Sequence, residues 1–242
     1  MFLTVPGLPE REVKTVMTAK NAMEKLLPAF DRLGISCLPS PISPSLPQKL
    51  RQHPDMNVAH LGGSVFVVYD DAVGTEVLRE LGAKLCPAKV PISEDYPHDA
   101  ALNIKICGDI CFHRLDITDT YLAKLLHERY RCINVRQGYS GCSTMVIGKR
   151  AIITGDSGML SAAKRVGMDA LFVSDRKIIL EGYDHGFIGG CGGMLAPDRV
   201  AFTGVPEDRD KIETFCIKHG VEPIFLTDGP CFDCGGIIPL TQ

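Results

Sequence analysis

The chain has 242 residues, 45% of them apolar and 23% charged, with a formal net charge of −3. That length can bury a sizeable core, and the mild acidity leaves no basic excess to displace counterions from a nucleic-acid backbone. No apolar run approaches the ~20 residues that cross a bilayer, and Met1 to Glu10 lacks the basic region and apolar core of a secretory leader, so a cytoplasmic protein without membrane or nucleic-acid partners is expected.

In chain order, Val13 to Met17 reads as a strand, Ala19 to Leu33 as a helix stopped at Gly34, and Ile35 to Leu38 as a second strand. Pro39 to Pro47, with four prolines and three serines, reads as a connector. His53-Pro54-Asp55 puts a ring and a carboxylate on a stiff extended segment, with His60 just beyond. Ser64 to Tyr69 then leads to a helix from Gly74 to Leu81 and a strand at Lys84 to Cys86, and Ala88 to Asp99 reads as a surface loop. Asp109 to His113 leads to a helix from Thr118 to Tyr130 and a strand at Cys132 to Val135.

The next two stretches are fuller. Thr144 to Ile147 and Arg150 to Thr154 form a strand pair around Gly148-Lys149. A helix from Ser157 to Val166 follows, ended at Gly167 where a left-handed cap is expected, and then the strand Ala170 to Val173. After Cys191 the same order returns: a strand, the turn Pro197-Asp198, the strand Arg199 to Thr203, a helix from Asp208 to His219, and the strand Pro223 to Leu226. In that helix Ile212, Phe215, Cys216 and His219 share one face, which can pack on a sheet.

These stretches are copies of one unit. Five segments align on a small residue or thiol at Gly62, Cys107, Cys142, Cys191 and Cys234, spaced by 45, 35, 49 and 43 residues. By this alignment the first two units are shortened. The fifth runs out of chain at Gln242, and its missing strand, helix and strand are the ones at the N-terminus. A closed ring accounts for both facts, and closure removes exposed sheet edges. The expectation is an α/β fold of five strand-strand-helix-strand modules closed by the N-terminus, with no domain boundary across residues 1–242.

With this architecture the chain resembles the pentein, or guanidino-group-modifying, superfamily of α/β propellers. The resemblance implies a central channel that takes a small cationic guanidino or amidino compound, with no cofactor. Catalytic members use a cysteine nucleophile near the C-terminus, a histidine from an earlier module, and carboxylates that hold the planar cation. Asp233-Cys234-Gly235-Gly236-Ile237-Ile238-Pro239-Leu240 is similar to the family's nucleophile stretch and gives that role to Cys234. Ile106-Cys107-Gly108-Asp109 is similar to its Gly-Gly-Asp segment and gives Asp109 the cation. The family's histidine would fall near Tyr139 to Cys142, where this chain has none, so His185 and His53 are the candidates for moving the proton.

Attack on a guanidinium carbon needs a thiolate, a proton donor for the leaving amine and carboxylates that orient the flat cation. Asp109 sits among Ile106, Ile110 and Phe112, the setting of a buried carboxylate whose partner is either a bound cation or one of the chain's own arginines. Asp233 adds negative field beside Cys234, which attracts a cation and raises the thiol pKa, so that the substrate itself supplies the activating charge. Equivalent ring positions face the same way, so Cys107, Cys142, Cys191 and Cys234 are expected to converge on the axis or to fill equivalent buried sites. Convergence would line the substrate site or make a structural metal or redox centre, to which Cys231-Phe-Asp-Cys234 adds a C-x-x-C pair. Absence of the usual paired C-x-x-C spacing argues against metal, and a non-catalytic binding or scaffold propeller is the remaining alternative. No Walker loop, GxGxxG fingerprint or GxSxG elbow is present.

Overall fold

A computed structural model describes all residues from Met1 to Gln242. Five three-stranded sheets repeat one connectivity. The first module contains β3 (Val58–His60), β4 (Val65–Val68) and β5 (Lys84–Pro87), with helix α3 (Glu76–Glu80) between the last two. The second contains β6 (Lys105–Cys107), β7 (Ile110–His113), α4 (Thr120–His127) and β8 (Arg131–Asn134). The third contains β9 (Thr144–Gly148), β10 (Ala151–Thr154), α5 (Ser157–Arg165) and β11 (Asp169–Phe172). The fourth contains β12 (Gly192–Ala196), β13 (Arg199–Phe202), α6 (Arg209–Lys218) and β14 (Glu222–Phe225). In each, the first pair is antiparallel and the second parallel, so the helix is a crossover.

The fifth module joins the two ends of the chain. The C-terminal strand β15 (Ile238–Thr241) pairs antiparallel with β1 (Thr15–Thr18), which pairs parallel with β2 (Ser36–Pro39) across helix α1 (Lys20–Leu33). Met17 stands opposite Ile238, and Thr15 opposite both Thr241 and Ser36. The N-terminal completion expected from the repeat is therefore present. So is the left-handed stop at Gly167, at φ +78°.

The first two modules are not shortened. Each opens on a three-residue inner strand, β3 or β6, that the repeat alignment passed over. Gly62 consequently lies in the turn after its inner strand and Cys107 at the end of its own, whereas Cys142, Cys191 and Cys234 lie ahead of theirs. A further one-turn helix, α2 (Pro54–Asn57), occupies the stretch expected to be extended after His53.

Packing closes the ring. Each crossover helix buries its apolar face against its own sheet and the sheet of the preceding module. Leu26 and Phe30 of α1 pack with Val16, with Leu195 and Ala201 of the fourth module, and with Leu226. Leu78 of α3 packs with Phe66 and with Met17 and Leu240 of the fifth. Leu122 and Leu126 of α4 meet Ala59 and Val67 of the first. Met159 and Ala162 of α5 meet Ile110 and Phe112 of the second, and Ile212 and Phe215 of α6 meet Ile147 and Ile153 of the third. At about 1.5–3 kcal/mol for each fully buried Leu, Ile or Phe, these five seams carry most of the cohesion between modules.

Candidate active site at the channel mouth

The site is built where chain enters the five inner strands. There a ring of hydrogen bonds runs once around the axis. Asp55 N–H donates to the Gly235 carbonyl (3.3 Å), and Asn103 Nδ2 donates to the Asp55 carbonyl (3.0 Å). Gly141 N–H donates to the Asn103 carbonyl (3.1 Å), Gly190 N–H to Cys142 (3.1 Å), and Cys234 N–H to Gly190 (2.9 Å). The Asn103 side chain also accepts from Gly141 N (2.7 Å) and Cys142 N (3.2 Å), and its amide lies 3.1 Å from the Cys142 sulfur. Satisfying these otherwise buried backbone groups fixes the five entry segments relative to one another.

Two cavities meet at this ring. Above it, a mouth pocket of about 270 Å³ is lined by His53, Met56, Cys142, His185 and Asp233, with a wall of Tyr139, Tyr183 and Phe187. Below it, an axial cavity of about 110 Å³ is lined by residues of all five inner strands, among them His60, Lys105, Met145, Met194 and Ile238.

Asp233 is buried at the floor of the mouth. Its Oδ2 accepts from Phe187 N (2.9 Å) and its Oδ1 from Gly235 N (2.9 Å), while His53 Nδ1 stands 3.6 Å from Oδ1. His53 Nδ1 is itself buried and makes no hydrogen bond. Burial raises the Asp233 carboxyl above the usual range, against the pull of His53, and Asp55 raises it further. The carboxylate lies directly against Gly190, where a Cβ would sit 1.9 Å from Oδ1, so only glycine leaves it room.

Three further carboxylates surround this floor. Both oxygens of Asp55 are buried without a hydrogen-bond partner. Asp99 accepts from the Tyr139 hydroxyl (2.7 Å) through Oδ2, leaves Oδ1 unpartnered, and is raised by burial. Asp175 accepts from Ile188 N (3.0 Å) and is pushed by burial to about 7. A bound cation would oppose the burial that raises these carboxylates and would give Asp55 the partner that it lacks.

Of the site residues expected from the sequence, His53, His185, Asp233 and Cys142 come together here. His185 is half-buried, its Nδ1 2.8 Å from the Gly186 carbonyl and its ring edge-on to Phe187. The Cys142 thiol is held well above its ordinary pKa, first by burial and then by the charges of Asp55 and Asp233.

Cys234 is placed otherwise. Its residue is 2% exposed, and its sulfur receives the Thr18 hydroxyl (3.3 Å) and packs in the seam with Val16, Leu26 and Leu195. It lines neither cavity, and burial pushes its thiol up to about 12. Asp109 also moves. It occupies the hairpin turn after β6, one strand length from the mouth, with a 68% exposed side chain 3.3 Å from Arg150, so the expected buried carboxylate is a surface ion pair. The four aligned thiols do not converge. Cys107 donates to Gly148 O (3.1 Å) in the seam between the second and third modules, Cys191 to Phe187 O (3.2 Å), and Cys234 faces the fifth module. Cys231 donates to Gly204 O (3.0 Å), away from Cys234, and all ten cysteines are free. No group of three or more His, Cys, Asp or Glu side chains is arranged to hold a metal ion.

Sequence reasoning missed Asn103, Lys105, Asp99 and Asp175. Aligning the entry segments of the inner strands, rather than the glycine-containing turns, would have put Asp55 and Asn103 in the same ring positions as Cys142 and Gly190.

The arrangement corresponds to known folds. An inosamine-phosphate amidinotransferase from Streptomyces griseus superposes with a TM-score of 0.60 at 12% identity, covering 100% of this chain and 97% of that one. SxtG, an amidinotransferase from Microseira wollei in the saxitoxin biosynthetic pathway, gives 0.57 at 12% identity over 99% and 97%. DDAH from Pseudomonas aeruginosa, complexed with citrulline, gives 0.55 at 12% identity over 90% and 92%. The fold is thus that of the guanidino-group-modifying, or pentein, α/β propellers. Within it, the chain belongs to the family described as a family of unknown function (DUF6873), whose model matches residues 17–238. No curated protein matches the sequence significantly. No helix is long and apolar enough to cross a membrane.

Proposed function

We propose that the mouth pocket binds a small guanidino or amidino cation and that a cysteine modifies it. The observation that carries this reading is the pocket itself, which gathers Asp233, His53, Cys142 and His185 from distant parts of the chain under an aromatic wall. Asp233 in the lining supplies the negative charge that a planar cation needs, and Asp55, which lines the axial cavity, adds to the field. Tyr139, Tyr183 and Phe187 offer ring faces to it. Cys142, the sole thiol of the lining, takes the nucleophile role that the family resemblance implied for Cys234. A bound cation between Cys142 and the carboxylates opposes the charges that hold its thiol protonated, which is how the substrate activates its own nucleophile. Sulfur attacks the central carbon, and His53 or His185 delivers the proton to the leaving amine.

One observation favours a second reading, binding without turnover: burial and Asp55 keep the Cys142 thiol protonated while the pocket is free. Calorimetry and labelling separate the two. Arginine, agmatine and acetamidine are expected to bind with release of heat, while neutral citrulline or urea binds weakly, and Asp233→Asn is expected to weaken the cations by ten- to a hundredfold, or about 1.5–3 kcal/mol for a hydrogen bond to a charged group. Chloroacetamidine that labels Cys142 establishes modification; cation binding without any labelling leaves the binding reading. Equal affinity for charged and neutral compounds would sink both.

A further inference from the structure

Two thiols of the second module take no part in the mouth pocket. Cys111 in β7 and Cys132 in β8 are register partners on adjacent parallel strands. Such partners stand one strand spacing apart, about 4.8 Å, and project to the same face of the sheet. Here that face is the seam under α4, where Cys111 packs with Leu122 and Leu126, and Cys132 packs against the same cluster. A disulfide needs Cα atoms about 4.4–6.8 Å apart and side chains that do not diverge. A register pair on one face satisfies both.

The two thiols differ in access. Cys111 is fully buried, whereas Cys132 is half-buried on the strand that ends the sheet. Each thiol is also the strongest influence on the other. Cys111, and after it the charge of His127, lowers Cys132 to about 7 against the effect of burial. Cys132, and after it burial, holds Cys111 well above its ordinary value. Cys132 is thus placed to meet a reagent as a thiolate, and Cys111 to follow it.

We propose that Cys111 and Cys132 form a dithiol modification site, which a small-molecule disulfide oxidises to an intramolecular bond between β7 and β8. The Cys132 thiolate attacks one sulfur of the reagent. A bond forms between them, the reagent's S–S bond breaks, and its other half leaves as a thiolate. That thiolate takes the proton of Cys111. The Cys111 sulfur then attacks the Cys132 sulfur of the mixed disulfide and bonds to it. The second half of the reagent leaves and takes from solvent the proton that Cys132 had released. Two cysteine thiols are oxidised, one disulfide is reduced to two thiols, and β7, α4 and β8 become a closed covalent loop. The site uses neither Cys142 nor the mouth, so it stands whether or not that pocket modifies a cation.

The test treats the intact chain with hydroxyethyl disulfide near neutral pH, quenches with acid and maps the peptides by mass. A peptide pair linking Cys111 to Cys132, lighter by the two thiol hydrogens, is expected together with the loss of both free thiols, and dithiothreitol should restore them. Cys111→Ala should instead accumulate the mixed disulfide on Cys132, and Cys132→Ser should leave Cys111 a free thiol. Should either variant fail to fold, the wild-type map decides alone. An unreacted Cys132, or a mixed disulfide that persists there while Cys111 stays a thiol, overturns the proposal. So does a link that forms only in urea or that joins Cys132 to a second chain.

Discussion

The position of Cys234 can be tested by the rate at which it exchanges with a small neutral disulfide such as dithiodipyridine. Burial lifts its thiol to about 12, whereas Cys132, half-buried on β8, is lowered to about 7 by the Cys111 thiol and then by the charge of His127. Relative to an ordinary thiol of pKa 8.5 at pH 7.5, the thiolate fraction falls about 3000-fold at Cys234 and rises about eightfold at Cys132. Nucleophilicity runs the other way, with a Brønsted slope of about 0.45, returning about 40-fold to Cys234 and removing about fivefold from Cys132. The product leaves Cys132 about a hundredfold faster than Cys234, before the 2% exposure of Cys234 slows it further. Quenching at timed intervals and mapping labelled peptides gives both rates from one sample. Should Cys234 exchange as fast as Cys132, its sulfur reaches the channel, the packing against Thr18 and Leu26 is not the working arrangement, and the nucleophile returns to Cys234.

Further consequences follow from other parts of the structure. Gly190→Ala drives a Cβ to 1.9 Å from Asp233 Oδ1, so the carboxylate must shift; cation affinity measured by calorimetry should fall at least as far as in Asp233→Asn, and unchanged affinity would show that the carboxylate does not hold the ligand. Asp175 carries a folded pKa of about 7 against an ordinary 3.8, so the folded chain keeps a proton the unfolded chain has lost, and stability drains as pH rises from 4 to 7 by up to about 4 kcal/mol. Asp175→Asn removes that loss and should make the chain more stable than wild type at pH 8 in urea titrations; a destabilised variant there contradicts the assignment. His60 and His113, both lowered to about 4 by burial, act oppositely, since only the unfolded chain takes up their protons between pH 6.5 and 4, and acid should unfold the Asp175→Asn variant more steeply than wild type. Leu26→Ala opens the seam between the fourth and fifth modules and should cost about 2–5 kcal/mol in urea unfolding, a loss that a ring open at this seam would not show.

Much of the ring was legible because its longer elements carry strong local signals. The helix of Ser157 to Arg165 ends at a glycine that has the left-handed conformation a cap requires, and the β10 and β13 stretches are apolar runs bounded by turns. The N-terminal strand, helix and strand were recognisable as the missing part of a truncated last unit. What escaped was β3 and β6. Each is three residues long, too short for an alternating pattern to register, and each carries a polar residue, His60 or Lys105, facing an internal cavity rather than an apolar core. Losing those strands slid the first two units by one element, and that slip put Asp109 beside the channel when it belongs to the turn at the far end of β6.

The same geometry explains why chemistry was harder to read than architecture. Neighbouring residues in extended chain point to opposite sides, so where Asp233 faces the pocket, Cys234 must face the seam behind it. Matching by residue type favoured the thiol, yet the turn glycines and the ring of backbone hydrogen bonds fix which of the two positions looks inward. Those bonds are made by main-chain atoms of Asp55, Gly141, Gly190 and Cys234 and by the Asn103 amide, so at four of the five positions the bonds themselves ask for no particular side chain, although the Asp233 carboxylate leaves room only for glycine at 190. Asn103 is the exception: its amide oxygen and nitrogen are both consumed, and an aspartate there would present oxygen to the Asp55 carbonyl and lose that bond. The ring thus constrains Asn103 by its hydrogen bonds and Gly190 by the carboxylate against it, and its bonds make no such demand on the side chains of Asp55 and Cys234, which is how one propeller centre can keep its frame while its chemistry changes.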